Sequence, residues 1–271
     1  MYRWCARHGR LIIWLWLLFS LAIYLPLLYL TDLSIIWLFV YLCFMATAAW
    51  AFVNGCARTL LKQAVQFLHD HCDPDPLLRE TEDQLTYSKS KTYNQILLID
   101  KCVALRYMGQ FDQVLETLIN LNIDQYSGTI PQNKVIYYNN MADAYLEVKD
   151  TEKAMIWQTK ARQITADIKN PKIRASLQDT LSLNDAAILV LRSQFADAEQ
   201  VLLTQAGKQK PLIRMISAAM LFAEIGIHIG NCDAAREHLN FVIANGNKVF
   251  DVQKARNILV NLQNSRAATY S

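Results

Sequence analysis

The 271-residue chain is predicted to be all-α, an N-terminal transmembrane helical hairpin followed by stacked antiparallel helix pairs. Three features carry that expectation. Residues 11–30 (LIIWLWLLFSLAIYLPLLYL) and 33–53 (LSIIWLFVYLCFMATAAWAFV) are apolar runs without Asp, Glu, Lys, Arg or His, separated by Thr31-Asp32. Beyond them, Pro131, Pro171 and Pro211 recur every 40 residues, each ahead of a helical pattern. Finally, small residues twelve apart bracket a polar turn again and again.

The apolar runs come first. A bilayer core about 30 Å thick needs roughly 20 helical residues to cross it, and each run supplies them. Backbone polar groups in lipid must be satisfied within their own segment, so each run is expected to be a helix and the two a tight hairpin. Arg3, Arg7 and Arg10 precede the first run, Asp32 is the only charge between them, and Arg58 and Lys62 follow the second. The positive-inside bias therefore places both termini in the cytoplasm and the turn outside, most simply in the cell membrane. Trp4, Tyr29, Trp37 and Trp50 near the span ends suit interfacial anchoring, whereas Trp14 and Trp16 lie deeper. A cleaved signal peptide fits less well: the first run is long, has no small-x-small cleavage site and leads directly into another span.

The remaining chain is nearly charge-balanced, although the whole carries 27 Lys+Arg against 24 Asp+Glu. Its basic excess lies mostly in the N-terminal arginines, and no basic stripe of the kind nucleic-acid binders carry is present. Six cysteines (Cys5, Cys43, Cys56, Cys72, Cys102 and Cys232) are scattered without a CxxC pair, as expected of reduced cytoplasmic thiols. Residues 57–71 (ARTLLKQAVQFLHDH) read as a helix running on from the second span, with Asn54-Gly55 as the weak point between them. Asp73-Pro74-Asp75-Pro76 ends that helix, and LLRETEDQL begins another. The acidic stretch Glu80-Thr81-Glu82-Asp83 is expected to face solvent at that helix's start. The organisation is therefore a basic N-terminus at 1–10, a membrane hairpin at 11–53, connecting helices at 54–93 and a repeat domain at 94–271. Residues 248–263 supply a C-terminal capping helix, which a stack of this kind needs to stay soluble.

The repeat argument is physical. Ala142 and Ala154, Ala186 and Ala198, and Ala223 and Ala235 are each twelve apart. Between them lie Lys149-Asp150, Ser193-Gln194 and Gly230-Asn231. Two helices joined by a short turn approach closely only where side chains are small. Cys102 and Val114 bracket Gly109-Gln110 in the same way, as a worn first copy. Copy two adds Tyr138, Met141 and Tyr145, while Phe111 and Phe195 close the turns of copies one and three. On these residues the segment from about 94 to 245 resembles tetratricopeptide repeats. The repeat spacing is nearer 40 than 34, and the aromatic of copy two becomes Leu105, Leu189 and Gly226 elsewhere. The resemblance implies a concave groove lined by the first helix of each pair. Ile99, Val103, Arg106 and Tyr107 would line it from copy one, and Asn139, Asp143, Leu146 and Glu147 from copy two. Leu183, Ala187 and Leu191 would follow, then Met220, Glu224 and His228. The mixed polarity suits an amphipathic helix or an extended segment of a protein partner.

Chemistry has few candidates. His69-Asp70-His71-Cys72-Asp73 is the only dense set of metal-ligand residue types, and no second motif completes it, so a polar helix end is expected rather than a metal site. No GxSxG, HExxH, P-loop or GxGxxG is present, and Gly207-Lys208 lacks the glycine spacing of a phosphate loop. The expectation is a non-enzymatic, cofactor-free, membrane-anchored adaptor or scaffold that binds a protein or peptide partner. The alternative is a non-catalytic subunit of a membrane transport or export complex. It draws on Thr47, Ala51 and Gly55, a small-residue stripe suited to transmembrane packing, with the first span as the nearest partner. The orientation is testable in intact cells. A membrane-impermeant maleimide is expected to label Asp32→Cys from outside, and to label the wild-type chain only after permeabilisation.

Overall fold

The structure, a computed structural model, describes residues 1–31, 35–121, 123, 130–205 and 211–269. Among them every regular element is a helix. The Asp32 turn and Gly207-Lys208 lie outside the described residues. The chain divides into two units, residues 1–65 and 66–271, described in turn.

In the first unit α1 (Tyr2–Arg7) leads into α2 (Gly9–Thr31), and α3 begins at Ile35. Both apolar runs are helical because nothing within them competes for the backbone, and both are long and apolar enough to cross a membrane. Trp14, Phe19, Trp37, Phe39 and Phe44 project outward from them. Ala49 and Cys56 of α3 are buried instead, and Val53 lies where a side chain on Gly9 would otherwise sit. Tyr24 stacks on Tyr41 at 5.1 Å, and the Cys56 and Cys5 thiols share a hydrogen bond. Asn54 and Gly55 do not interrupt α3, which runs unbroken to His71. The Asn54 amide bonds the Trp50 carbonyl within the same helix at 2.8 Å.

In the second unit α4 (Asp75–Tyr87) packs on α5 (Lys91–Tyr107). Then come α6 (Phe111–Ile119), α7 (Pro131–Glu147), α8 (Thr151–Ala166) and α9 (Pro171–Leu191). α10 (Phe195–Gln205), α11 (Leu212–His228), α12 (Cys232–Asn245) and α13 (Phe250–Thr269) complete the chain. Pro131 and Pro171 occupy the first residue of their helices, where a missing N–H costs nothing. Pro211 stands one position earlier, as the N-cap of α11.

Four hairpins, α5/α6, α7/α8, α9/α10 and α11/α12, are built on one turn. The left-handed backbone position falls on Gly109, Lys149, Ser193 and Gly230, each seven residues after the first small residue of its pair. In the first three, the next residue's N–H bonds the carbonyl five back: Gln110 to Leu105, Asp150 to Tyr145, and Gln194 to Leu189. That bond and the left-handed residue together form a Schellman C-cap, which turns the chain tightly enough to fold the second helix onto the first. All eight small residues, Cys102 and Val114 included, are fully buried. Gly226 carries the same logic further: a Cβ there would come within 3.2 Å of both the Ala235 Cβ and the Asn231 carbonyl.

Successive hairpins pack through their first helices, α5 on α7, α7 on α9, α9 on α11 and α11 on α13. Polar bonds join them on the outer side. Tyr137 donates to the Leu118 carbonyl at 2.9 Å, and the Gln158 amide bonds the Leu181 carbonyl at 2.7 Å. Within this unit the row of hairpins curves until its end meets its start. The Lys248 N–H bonds the Cys72 carbonyl, the Asn247 amide bonds the His71 carbonyl, and the Lys248 ammonium reaches Asp73 at 2.9 Å and Asp75 at 2.8 Å. Phe250 meets Phe111 edge to face at 5.5 Å. The expected C-terminal cap is thus the element that closes the row on itself.

One expectation is corrected. α4 starts at Asp75, so Glu80, Thr81, Glu82 and Asp83 fall in its middle turns rather than at its start. Helical periodicity then buries Glu80 and Thr81 beside Gln84, which bonds the Glu80 carboxylate at 2.8 Å, while Glu82 stays outward and pairs with Lys101. The shared turn sets a stability prediction. Lys149→Gly and Ser193→Gly are each expected to stabilise by roughly 0.5 kcal/mol, because relief of left-handed strain outweighs the added unfolded-state freedom. Gly109→Ala, whose new Cβ would overlap the Phe250 ring, is expected to cost about 2 kcal/mol or more. Denaturation of the three variants in detergent checks the signs.

Candidate functional site

The inner faces of α5, α7, α9 and α11 line a partly open cavity of about 550 Å³ in the second unit. Polar bonds between neighbouring helices run along its wall. The Arg106 guanidinium on α5 pairs with Asp143 on α7 and lies 4.2 Å over the Tyr107 ring. The Asn139 amide donates to Asp143, and the Asn184 amide on α9 donates to the Asn139 side chain at 3.1 Å. Arg214 on α11 donates to the Thr180 hydroxyl on α9. Each helix supplies a polar group that its own backbone cannot satisfy, so the network ties neighbouring helices together.

α13 crosses this space. Phe250, Asp251 and Lys254 line the cavity, and the Lys254 ammonium stands between Glu224 at 3.1 Å and Glu147 at 3.5 Å. Burial opposes the charge on Lys254, but Glu224 and Glu147 outweigh it and hold the ammonium above the usual lysine value. Asp251 is pushed up to about 6, mainly by burial and further by Glu147 and Glu224, against the pull of Lys254 and Arg106. His228 stacks on Phe195 at 4.8 Å.

Arg106, Tyr107, Asn139, Asp143, Glu147, Glu224 and His228 all line this one cavity, with Leu146, Leu183, Ala187, Leu191 and Met220 between them. Ile99 instead belongs to the core packed between hairpins, and Val103 is not part of the lining. Sequence reasoning missed Thr180, Asn184 and Ser217, each three residues from an expected position on the same helix, and Arg214, a further turn before Ser217. Widening the faces of α9 and α11 and continuing them toward their N-termini would have found them. Nothing local announces Phe250, Asp251 and Lys254, because they arrive through the return of the chain.

The metal-type cluster is divided among separate tasks. Asp70 accepts from the Gln66 amide, His71 packs on Phe67 at 4.4 Å, and Asp73 accepts the Asp75 N–H while pairing with Lys248. Cys72 is fully buried, its thiol pushed up to about 11 by burial. Among the described residues no three His, Cys, Asp or Glu side chains come together as a metal site. In the first unit Thr47, Ala51 and Gly55 are exposed, and the space beside Gly55 is open. Compared with protein-family models, curated proteins and solved structures, the chain matches none of them.

Asp100 on α5 is likewise pushed up, to about 7, by burial. Asp100 and Asp251 both hold their protons more tightly folded than unfolded. Their stabilising contribution is therefore complete below about pH 4 and is lost as pH rises through about 7 for Asp100 and about 6 for Asp251. Unfolding in detergent across pH 4–8 is expected to show that decline. Asp100→Asn flattens it and stabilises the fold at pH 8 by roughly 1–3 kcal/mol.

Proposed function

We propose that the chain is a membrane-anchored cytoplasmic adaptor whose tetratricopeptide-like array holds a short extended segment of a protein partner at the membrane surface. The observation that carries this reading is the cavity into which the inner helices turn their polar side chains. The mix of polar and apolar side chains on its wall suits a short extended segment, whose backbone and side chains are both presented to it. The four hairpins with a common turn support the tetratricopeptide-like label, and the two apolar helices followed by balanced charge support anchoring in the cell membrane with both termini cytoplasmic.

A second reading makes the chain a non-catalytic subunit of a membrane transport or export complex. It is favoured by the exposed stripe of Thr47, Ala51 and Gly55, a surface against which another membrane helix packs closely. Photo-crosslinking from the cavity in native membranes separates the two. Leu191→Trp fills the cavity from an exposed position, and is expected to cut recovery of the crosslinked partner by about tenfold, equivalent to about 1.4 kcal/mol of binding. Exchange of residues 11–53 for an unrelated two-span anchor is expected to leave that recovery intact. Loss of activity on exchange, with no effect of Leu191→Trp, would favour the complex subunit.

A further inference from the structure

We infer that the basic end of the first unit is a collar for anionic phospholipid headgroups, in which Arg3 and Arg7 of α1, Arg10 of α2, and Arg58 and Lys62 of α3 face the surrounding lipid phosphates. The inference rests on the membrane-anchored reading above, is independent of the cavity, and adds the lipid chemistry that the anchor selects.

Helix packing brings these residues to one end. Gly9 of α2 meets Val53 of α3 so closely that a Cβ on Gly9 would lie 2.4 Å from the Val53 Cγ1. One turn further toward the same end, the Cys5 and Cys56 thiols share a hydrogen bond. The two stretches therefore run antiparallel, with Cys5, Ala6, Cys56 and Ala57 buried. Small residues fill the packed face, and the basic ones turn away from it. Arg3 and Arg7 flank Cys5 at two positions on either side, about 200° round the helix. Arg58 and Lys62, five and nine positions past Val53, come round to about 140° and 180° from it. All five basic side chains are accordingly exposed. The described residues of this unit include no Asp or Glu, so the charge gathered at this end is of one sign.

The depth of the collar matches lipid headgroups. Gly9 and Val53 stand at the edge of the two apolar runs, which begin at residue 11 and end at residue 53. At a rise of about 1.5 Å per residue, Arg58 lies about 8 Å beyond that edge and Lys62 about 14 Å. A headgroup layer is roughly 5–8 Å deep, and long basic side chains reach back along a helix toward it. Arg10 stands at the edge itself, with Arg7 and Arg3 within two turns outside it. Trp4, 54% exposed between Arg3 and Arg7, and Trp50, 59% exposed one turn before Val53, suit the same boundary. A guanidinium is a planar fork of donors that keeps its charge and binds phosphate bidentately. A zwitterionic headgroup brings its own ammonium beside the phosphate and repels such a collar, whereas an anionic phospholipid supplies charge of one sign.

The test uses the full chain in phosphatidylcholine vesicles carrying a trace of spin-labelled phosphatidylglycerol or spin-labelled phosphatidylcholine in both leaflets. Electron spin resonance reads the fraction of each label immobilised by the protein, whichever way the chain inserts. The phosphatidylglycerol label is expected to associate about fivefold more strongly, a ratio equivalent to about 1 kcal/mol. That ratio is expected to fall toward one in about 1 M salt, where charges are screened beyond about 3 Å. Changing Arg3, Arg7, Arg10, Arg58 and Lys62 together to Gln is expected to abolish the preference, and Arg58→Gln with Lys62→Gln to remove part of it. Changing the four arginines to Lys is expected to keep most of it, with unchanged helical circular dichroism showing that each variant folds. Equal association of the two labels with the inserted wild-type chain, or a preference that survives in the Gln variants, would overturn the collar while leaving the anchor standing. Loss of the preference to inorganic phosphate at matched ionic strength would point to free anions and overturn it too. A chain stripped from the vesicles by alkaline carbonate would overturn both collar and anchor.

Discussion

Close approach of paired helices at a small residue is the constraint on which the second unit depends. Cys102, Ala142, Ala186 and Ala223 each face Val114, Ala154, Ala198 or Ala235 across a hairpin, all of them fully buried. The separation they set is reachable only if the intervening turn is short, and a short turn requires one left-handed residue. Glycine takes that position in two hairpins, while Lys149 and Ser193 take it in the others at φ values of 61° and 59°. Close-packed interiors gain dispersion energy over many contacts, so a locally strained turn is tolerated where it brings two whole helix faces together. The inner helices then stand close enough for Arg106, Asp143, Asn139 and Asn184 to link across three of them.

The features legible in sequence are those with a local physical cause. Apolar length announces α2 and α3, proline marks the starts of α7 and α9, and small residues at fixed spacing mark the hairpins. The same register places Tyr107, Glu147, Glu224 and His228 on the inner faces, since a helix repeats its faces every three or four residues. Long-range closure is not written locally. Lys248 gives no sign that it will meet Asp73 and Asp75, nor Lys254 that it will stand between Glu147 and Glu224. The acidic stretch at 80–83 was misplaced for a related reason. Its charge suggested solvent, whereas the phase of α4, set by its start at Asp75, turned Glu80 inward.

The cavity joins these two kinds of information. Most of its wall comes from repeated inner helices, but Phe250, Asp251 and Lys254 come from α13. A row of hairpins alone would offer an open surface suited to a long partner. With α13 across it, that surface is narrowed to a partly open cavity whose wall combines side chains from both ends of the unit.

The junction between Cys72 and Lys248 also has a consequence for the order in which the unit assembles. Each hairpin is a local contact that forms early, whereas this junction must bring together residues more than 170 positions apart. The entropy of closing so long a loop grows only logarithmically with length, but it is recovered only once all the intervening hairpins are curved correctly. Closure of the unit thus depends on every hairpin between its two ends. The second unit resembles a bracelet, and its clasp at Cys72 and Lys248 meets only when every link between them has the right curvature.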